Sequence, residues 1–100
     1  YERRISMSGD KKITADMINE LYDLILSLKT REDCKLLFED LCTNKEVEQM
    51  AQRVLSAKLL MDGCTYSDIM EKTDISSATL SRVSRCVQYG KGYKTFLNKN

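Results

Sequence analysis

Three times in this chain a threonine stands three residues ahead of an acid: Thr30 and Asp33, Thr43 and Glu46, Thr65 and Asp68. That spacing is the capping box, in which the hydroxyl accepts from a backbone N–H one turn on and the acid reaches back. Each copy marks a helix start, and the chain has no proline to interrupt the helices so opened. The apolar spacing agrees. Met17, Ile18, Leu21, Leu24, Ile25 and Leu28 form a stripe at helical period, which predicts a first helix capped by Thr14 and ending near Leu28. Thr30 opens a second helix through Leu41, with Cys34, Leu37, Phe38 and Leu41 inward. Thr43 opens the longest, from Asn44 to about Asp62, apolar around more than half its circumference and stopped by Gly63. So wide a face points to a second subunit, the competing reading being a central core helix with neighbours on two sides. Residues 1–12 are polar and basic and read as a flexible arm; 13–100 read as one helical domain. The fold class is all-α, with five to six helices.

The stretch from 65 to 88 carries the functional signal. Thr65 and Asp68 start a helix at Tyr66, with Ile69 and Met70 inward. Thr73-Asp74 should end it, since aspartate tolerates a left-handed backbone. Ile75 then plugs the turn into the core. Ser76 caps a second helix, whose Leu80, Val83 and Val87 lie on one buried stripe. Its outer face holds Ser77, Ala78, Ser81, Arg82 and Arg85, and no carboxylate. This is a helix-turn-helix whose second helix starts slim and is backed by forked cations, a shape that can enter a major groove. Charge is segregated in the same sense. Residues 76–100 hold five bases (Arg82, Arg85, Lys91, Lys94, Lys99) and no acid. All 15 acids lie in residues 1–75 with the other 11 bases, so the two parts sum to −4 and +5, matching the chain's net +1.

Several function classes lose support. No apolar run is long enough to span a bilayer. The absence of histidine removes the commonest general base, and no GxSxG, P-loop or GxGxxG occurs, so nothing argues for an enzyme. Cys34, Cys42, Cys64 and Cys86 form no CxxC pair. Cys34, Cys42 and Cys86 read as small core residues of a reducing cytosol, Cys64 as part of a connection, and neither a metal nor a cofactor is expected. Gly90 and Gly92 should break the helix, with Tyr89 and Tyr93 packing the turn down. Lys94 to Asn100 is then a short last helix anchored by Phe96 and Leu97.

Leu41-Cys42-Thr43, Ala51-Gln52-Arg53-Val54, the Gly63 stop and Ala78-Thr79-Leu80-Ser81-Arg82 together resemble the Trp repressor superfamily. Ser81 to Cys86, followed by Tyr89-Gly90, is more similar to its bacterial YerC/YecD-type branch. The resemblance spans Thr14 to Tyr93. It implies an intertwined two-fold homodimer whose reading heads meet successive major grooves about 34 Å apart, the spacing established for helix-turn-helix dimers with Trp repressor among them. It further implies a cytoplasmic, nucleoid-associated transcription regulator that represses by occupying palindromic double-stranded operator DNA. By position, Ser77, Ala78 and Ser81 would face bases and Ser67, Asp68 and Arg85 would lie near the DNA; Ser76 at the cap and Arg82 on the outer face are read as further DNA contacts. Asp68 departs from the family, standing where the repressor has a basic contact; completing the Thr65 cap is its competing role.

The resemblance also marks effector positions. Arg53, Thr79 and Arg82 match three residues that hold tryptophan in the repressor. Val83, however, stands for a glycine and Cys86 for a serine. A branched side chain in the indole's volume would overpack the site at a cost of about 1–3 kcal/mol. The missing hydroxyl removes a partner for the ligand's ammonium. The expectation is a DNA-binding regulator that does not answer to L-tryptophan, with a small-molecule effector of undefined chemistry as a further candidate partner. The competing reading is a helix pair that docks on another protein.

Overall fold

The computed structural model describes residues 10–97, with side chains from 14 onward. It shows six helices and, among the described residues, no strand: α1 (Asp10–Leu26), α2 (Arg31–Leu41), α3 (Asn44–Met61), α4 (Tyr66–Thr73), α5 (Ser77–Tyr89) and α6 (Gly92–Leu97). Residues 1–9 of the predicted arm and 98–100 of the predicted last helix lie outside the described residues. The first helix corrects one expectation. It begins at Asp10, so residues 10–12 are helical rather than arm and Thr14 sits inside the helix, not at its cap. Neither glycine nor proline stands between Asp10 and Thr14, and Asp10 is itself suited to a helix N-terminus. α1 also ends two residues earlier than expected, with Leu28 in the turn beyond it.

The chain divides into two units, residues 1–40 and 41–100. In the first, the Thr30 cap forms in full. The Asp33 N–H donates to Thr30 Oγ1 at 3.0 Å, and Asp33 Oδ2 accepts from the N–H groups of Lys29 (3.0 Å) and Thr30 (3.2 Å). The bond from Lys29, followed by the Thr30 hydroxyl, holds the Asp33 carboxyl below the usual carboxylate range. The inward stripes do not behave as predicted. Met17, Ile18, Leu21, Leu24, Ile25 and Cys34 are exposed, Leu37 and Phe38 are half-buried, and no residue from 14 to 40 is buried. Two helices have too little surface to cover stripes this wide.

The second unit has a core of Ala57, Ile69, Ile75, Leu80 and Val83, with Leu59, Leu60, Cys64, Val87, Tyr93 and Leu97 packed against it. α3 opens with a complete box between Thr43 and Glu46 and closes one residue before the expected end, with Asp62 at its C-cap. Gly63 comes next at φ +91°, a left-handed conformation that suits glycine. Val54 and Leu55 of α3 stay exposed, as does Leu41 at the end of α2. Gly90 ends α5 for a different reason from Gly63. A Cβ there would lie 2.7 Å from the Cys86 carbonyl oxygen, too close for any side chain. Gly92 does not break a helix but starts α6. Tyr93 packs on the core as expected, whereas Tyr89 (81% exposed) and Phe96 do not. Of the cysteines expected in the core, Cys34 and Cys86 are exposed and Cys42 is half-buried. Cys64 lies in the α3–α4 connection, as expected.

Candidate nucleic-acid interface

The helix pair forms by local signals that then lock onto α3. Thr65 caps α4, its Oγ1 accepting from the Asp68 N–H at 3.1 Å. No bond returns from the Thr65 N–H to the Asp68 carboxylate, so only half of the expected box is made and the acid stays exposed on α4. Ile69 is fully buried, but Met70, expected beside it, is exposed. Asp74 ends α4 at φ 64°, the left-handed turn anticipated for it. Ile75 enters the core, and Ser76 caps α5 by accepting from the Thr79 N–H at 3.2 Å.

A set of polar contacts holds this turn to α3. Thr73 Oγ1 donates to the Ile69 carbonyl at 2.8 Å and accepts from the Ile75 N–H at 3.2 Å. Gln52 Nε2 donates to the Thr73 carbonyl at 3.1 Å, and the Ser56 hydroxyl, fully buried, meets Thr73 Oγ1 at 3.5 Å. Buried polar groups are tolerated where they are bonded, and here the bonds span the joint between the long helix and the α4–α5 turn. Sequence reasoning missed this set, because its bonds to Thr73 cross 21 and 17 residues and no local spacing pairs the turn with α3.

α5 then presents two different faces. Leu80 and Val83 are buried, Val87 half-buried, and Ser77, Ala78, Ser81, Arg82 and Arg85 all face solvent with Ser76 at the cap. Ser67 is exposed on α4. From residue 76 to 97 there is no acid, and the N-terminus of α5 adds its own partial positive charge to that of the arginines. Lys94 is engaged elsewhere, donating to the Gln88 carbonyl at 2.9 Å near the end of α5. Such a face can accept phosphate oxygens and offer small hydroxyls to base edges.

The effector positions separate. Arg53, Thr79 and Arg82 line one cleft between α3 and α5, of about 510 Å³. Val83 does not line it; at 2% exposure it belongs to the core. Cys86, exposed on α5, is also absent from the lining. The cleft instead uses Lys45, Glu48, Gln49 and Gln52 of α3, with Asp74 and Ser76 across from them. Those α3 residues recur with Arg53 at i, i+3, i+4, i+7 and i+8, a polar stripe that helical spacing could have revealed. Among the described residues no group of three or more Cys, Asp or Glu could hold a metal ion, and no helix is long and apolar enough to cross a membrane.

Comparison with known proteins agrees with this geometry. The sequence profile of the Trp repressor protein family matches residues 16–100. The uncharacterized protein YerC of Bacillus subtilis (strain 168) is 44% identical over 79 residues, covering 79% of this chain and 76% of the relative. The crystal structure of a candidate Trp repressor from Staphylococcus aureus superposes with a TM-score of 0.82 at 39% identity, over 93% of each chain. A TrpR-like protein from Eubacterium eligens gives 0.79 at 42% identity, over 85% of this chain and 89% of the other.

Proposed function

The chain belongs to the Trp repressor family, a family of helix-turn-helix DNA-binding regulators, and on that premise we propose that it is a sequence-specific transcriptional repressor binding palindromic operator DNA as a homodimer. The observation that carries the reading is the outer face of α5. It is exposed, free of acids, small at its start and backed by Arg82 and Arg85. In this reading Ser77, Ala78 and Ser81 approach base edges, while Ser67, Ser76, Arg82 and Arg85 approach the backbone. The chain acts in the cytoplasm, on the nucleoid, and does no chemistry.

The dimer has its own support. Residues 14–40 include not one buried side chain, and the apolar stripe of α1 lies open. A contiguous apolar face of that kind marks an association surface, and an intertwined second copy covers it. In this reading each subunit acts as one helical domain that its partner completes.

A gel shift on random genomic fragments at low and moderate salt tests the function. DNA reading predicts shifted bands that fade as salt rises. No shift at either salt would favour docking on a protein partner instead. L-tryptophan should not be the effector, since no apolar residue lines the α3–α5 cleft and Cys86 does not face it. Titration with tryptophan is therefore expected to leave the unfolding temperature unchanged. Saturable stabilisation at micromolar ligand would contradict this, because a ligand at 100 times its Kd adds about 2.7 kcal/mol.

A further inference from the structure

Apolar burial brings α5 onto α3 through Ala57, Ile69, Ile75, Leu80 and Val83, but attraction of that kind has no direction. Hydrogen bonds do have direction, and two of them cross from α3 to the α4–α5 turn. Both end on Thr73: Gln52 Nε2 donates to its carbonyl at 3.1 Å, and the Ser56 hydroxyl donates to its Oγ1 at 3.5 Å. The carbonyl needs an outside donor, because it belongs to the last residue of α4, where helical N–H partners run out. The Thr73 hydroxyl is used to its full capacity of one donor and two acceptor sites. Besides receiving Ser56, it donates to the Ile69 carbonyl at 2.8 Å and accepts from the Ile75 N–H at 3.2 Å. Ser56 and Ile75 are both buried. Thus α3, α4 and the residue before the α5 cap meet on one residue.

We propose that Thr73 is a positioning residue for DNA recognition. Through Gln52 and Ser56 it fixes the rotation of α5 on α3, and with it the direction in which Ser77 and Ser81 meet base edges. This role rests on the proposed function, with α5 as the DNA-contacting helix. It separates two kinds of binding. Phosphate contacts are independent of sequence, and they tolerate a helix that has turned. Base edges do not, since a hydrogen bond weakens steeply away from its line. Removing the Thr73 hydroxyl strands two buried donors, the Ile75 N–H and the Ser56 O–H, which regain partners when the turn shifts. Specific binding must then reverse that shift, whereas non-specific binding need not.

Thr73→Val keeps the outline of the side chain and removes the hydroxyl; Thr73→Ser keeps the hydroxyl. Residual dipolar couplings of the full chain without DNA read the angle between α3 and α5. Anisotropy titrations read binding to a fragment selected from a random duplex library and to unselected duplex. In Thr73→Val the couplings of α5 should depart from the wild-type orientation. Affinity for the selected fragment should fall about tenfold, one hydrogen bond's net contribution, with no loss on unselected duplex. Thr73→Ser should restore both readouts. Gln52→Met, which leaves the hydroxyl in place, should show the same split at about threefold and guards against a fold defect in Thr73→Val. Equal losses on both duplexes would mean fewer folded molecules rather than a turned helix, and would overturn the proposal. So would wild-type couplings in Thr73→Val, or undiminished binding to the selected fragment. A wild-type chain that binds neither duplex would overturn the functional reading itself, and the couplings would still show whether Thr73 sets the rotation of α5.

Discussion

Arg82→Ala and Arg85→Ala are each expected to weaken binding to duplex DNA and to make its salt dependence shallower. Every phosphate contact contributes about one to the slope of log affinity against log salt, so one substitution, present twice in a dimer, should remove about two. The structure makes these the residues to choose. Both guanidinium groups are exposed on the outer face of α5, a helix that itself carries no carboxylate. Lys94, equally basic, already donates to the Gln88 carbonyl and should matter less. Titration by fluorescence anisotropy between about 50 and 200 mM salt reads the effect directly. An unchanged slope in both variants would mean that the two arginines meet no phosphate.

Leu80→Ala should have the largest effect on stability. Leu80 is fully buried on α5, where that helix packs against α3 and α4. Truncating a buried leucine leaves a cavity and costs about 2–5 kcal/mol. Against a total stability of about 5–15 kcal/mol for an ordinary domain, that is a large fraction. The urea midpoint should fall, and DNA affinity with it, since Leu80 sets how α5 sits on the unit. Its neighbour gives the contrast. Ser81 is exposed, so Ser81→Ala should move stability by no more than about 0.5 kcal/mol while altering which sequences are preferred. Adjacent residues thus separate holding the helix from reading with it.

How much of this was legible in the sequence depended on the range of the interaction. Thr30, Thr43, Thr65 and Ser76 were readable as caps because each bonds within one turn of itself. Asp74 was readable for the same reason, since its left-handed backbone is a local property of the residue type. Thr14 misled because a hydroxyl can sit inside a helix when nothing upstream stops it. The α1 stripe is legible by period, yet period cannot say what covers it, and within one chain those residues are exposed. The contacts joining Gln52 and Ser56 to Thr73 cross 21 and 17 residues and leave no periodic trace. Val83 was legible as part of the buried stripe of α5 from its spacing with Leu80 and Val87, and it is buried there.

Selection of bound fragments from a random duplex library tests the central claim most directly. If α5 reads DNA from a two-fold dimer, the recovered sequences should converge on a palindrome. Its half-sites should lie about one helical turn, 10–10.5 base pairs, apart or at a multiple of that spacing, and Ser81→Ala should change the bases within them. Recovery of unrelated sequences with no symmetry, or of nothing above background at low salt, would contradict it.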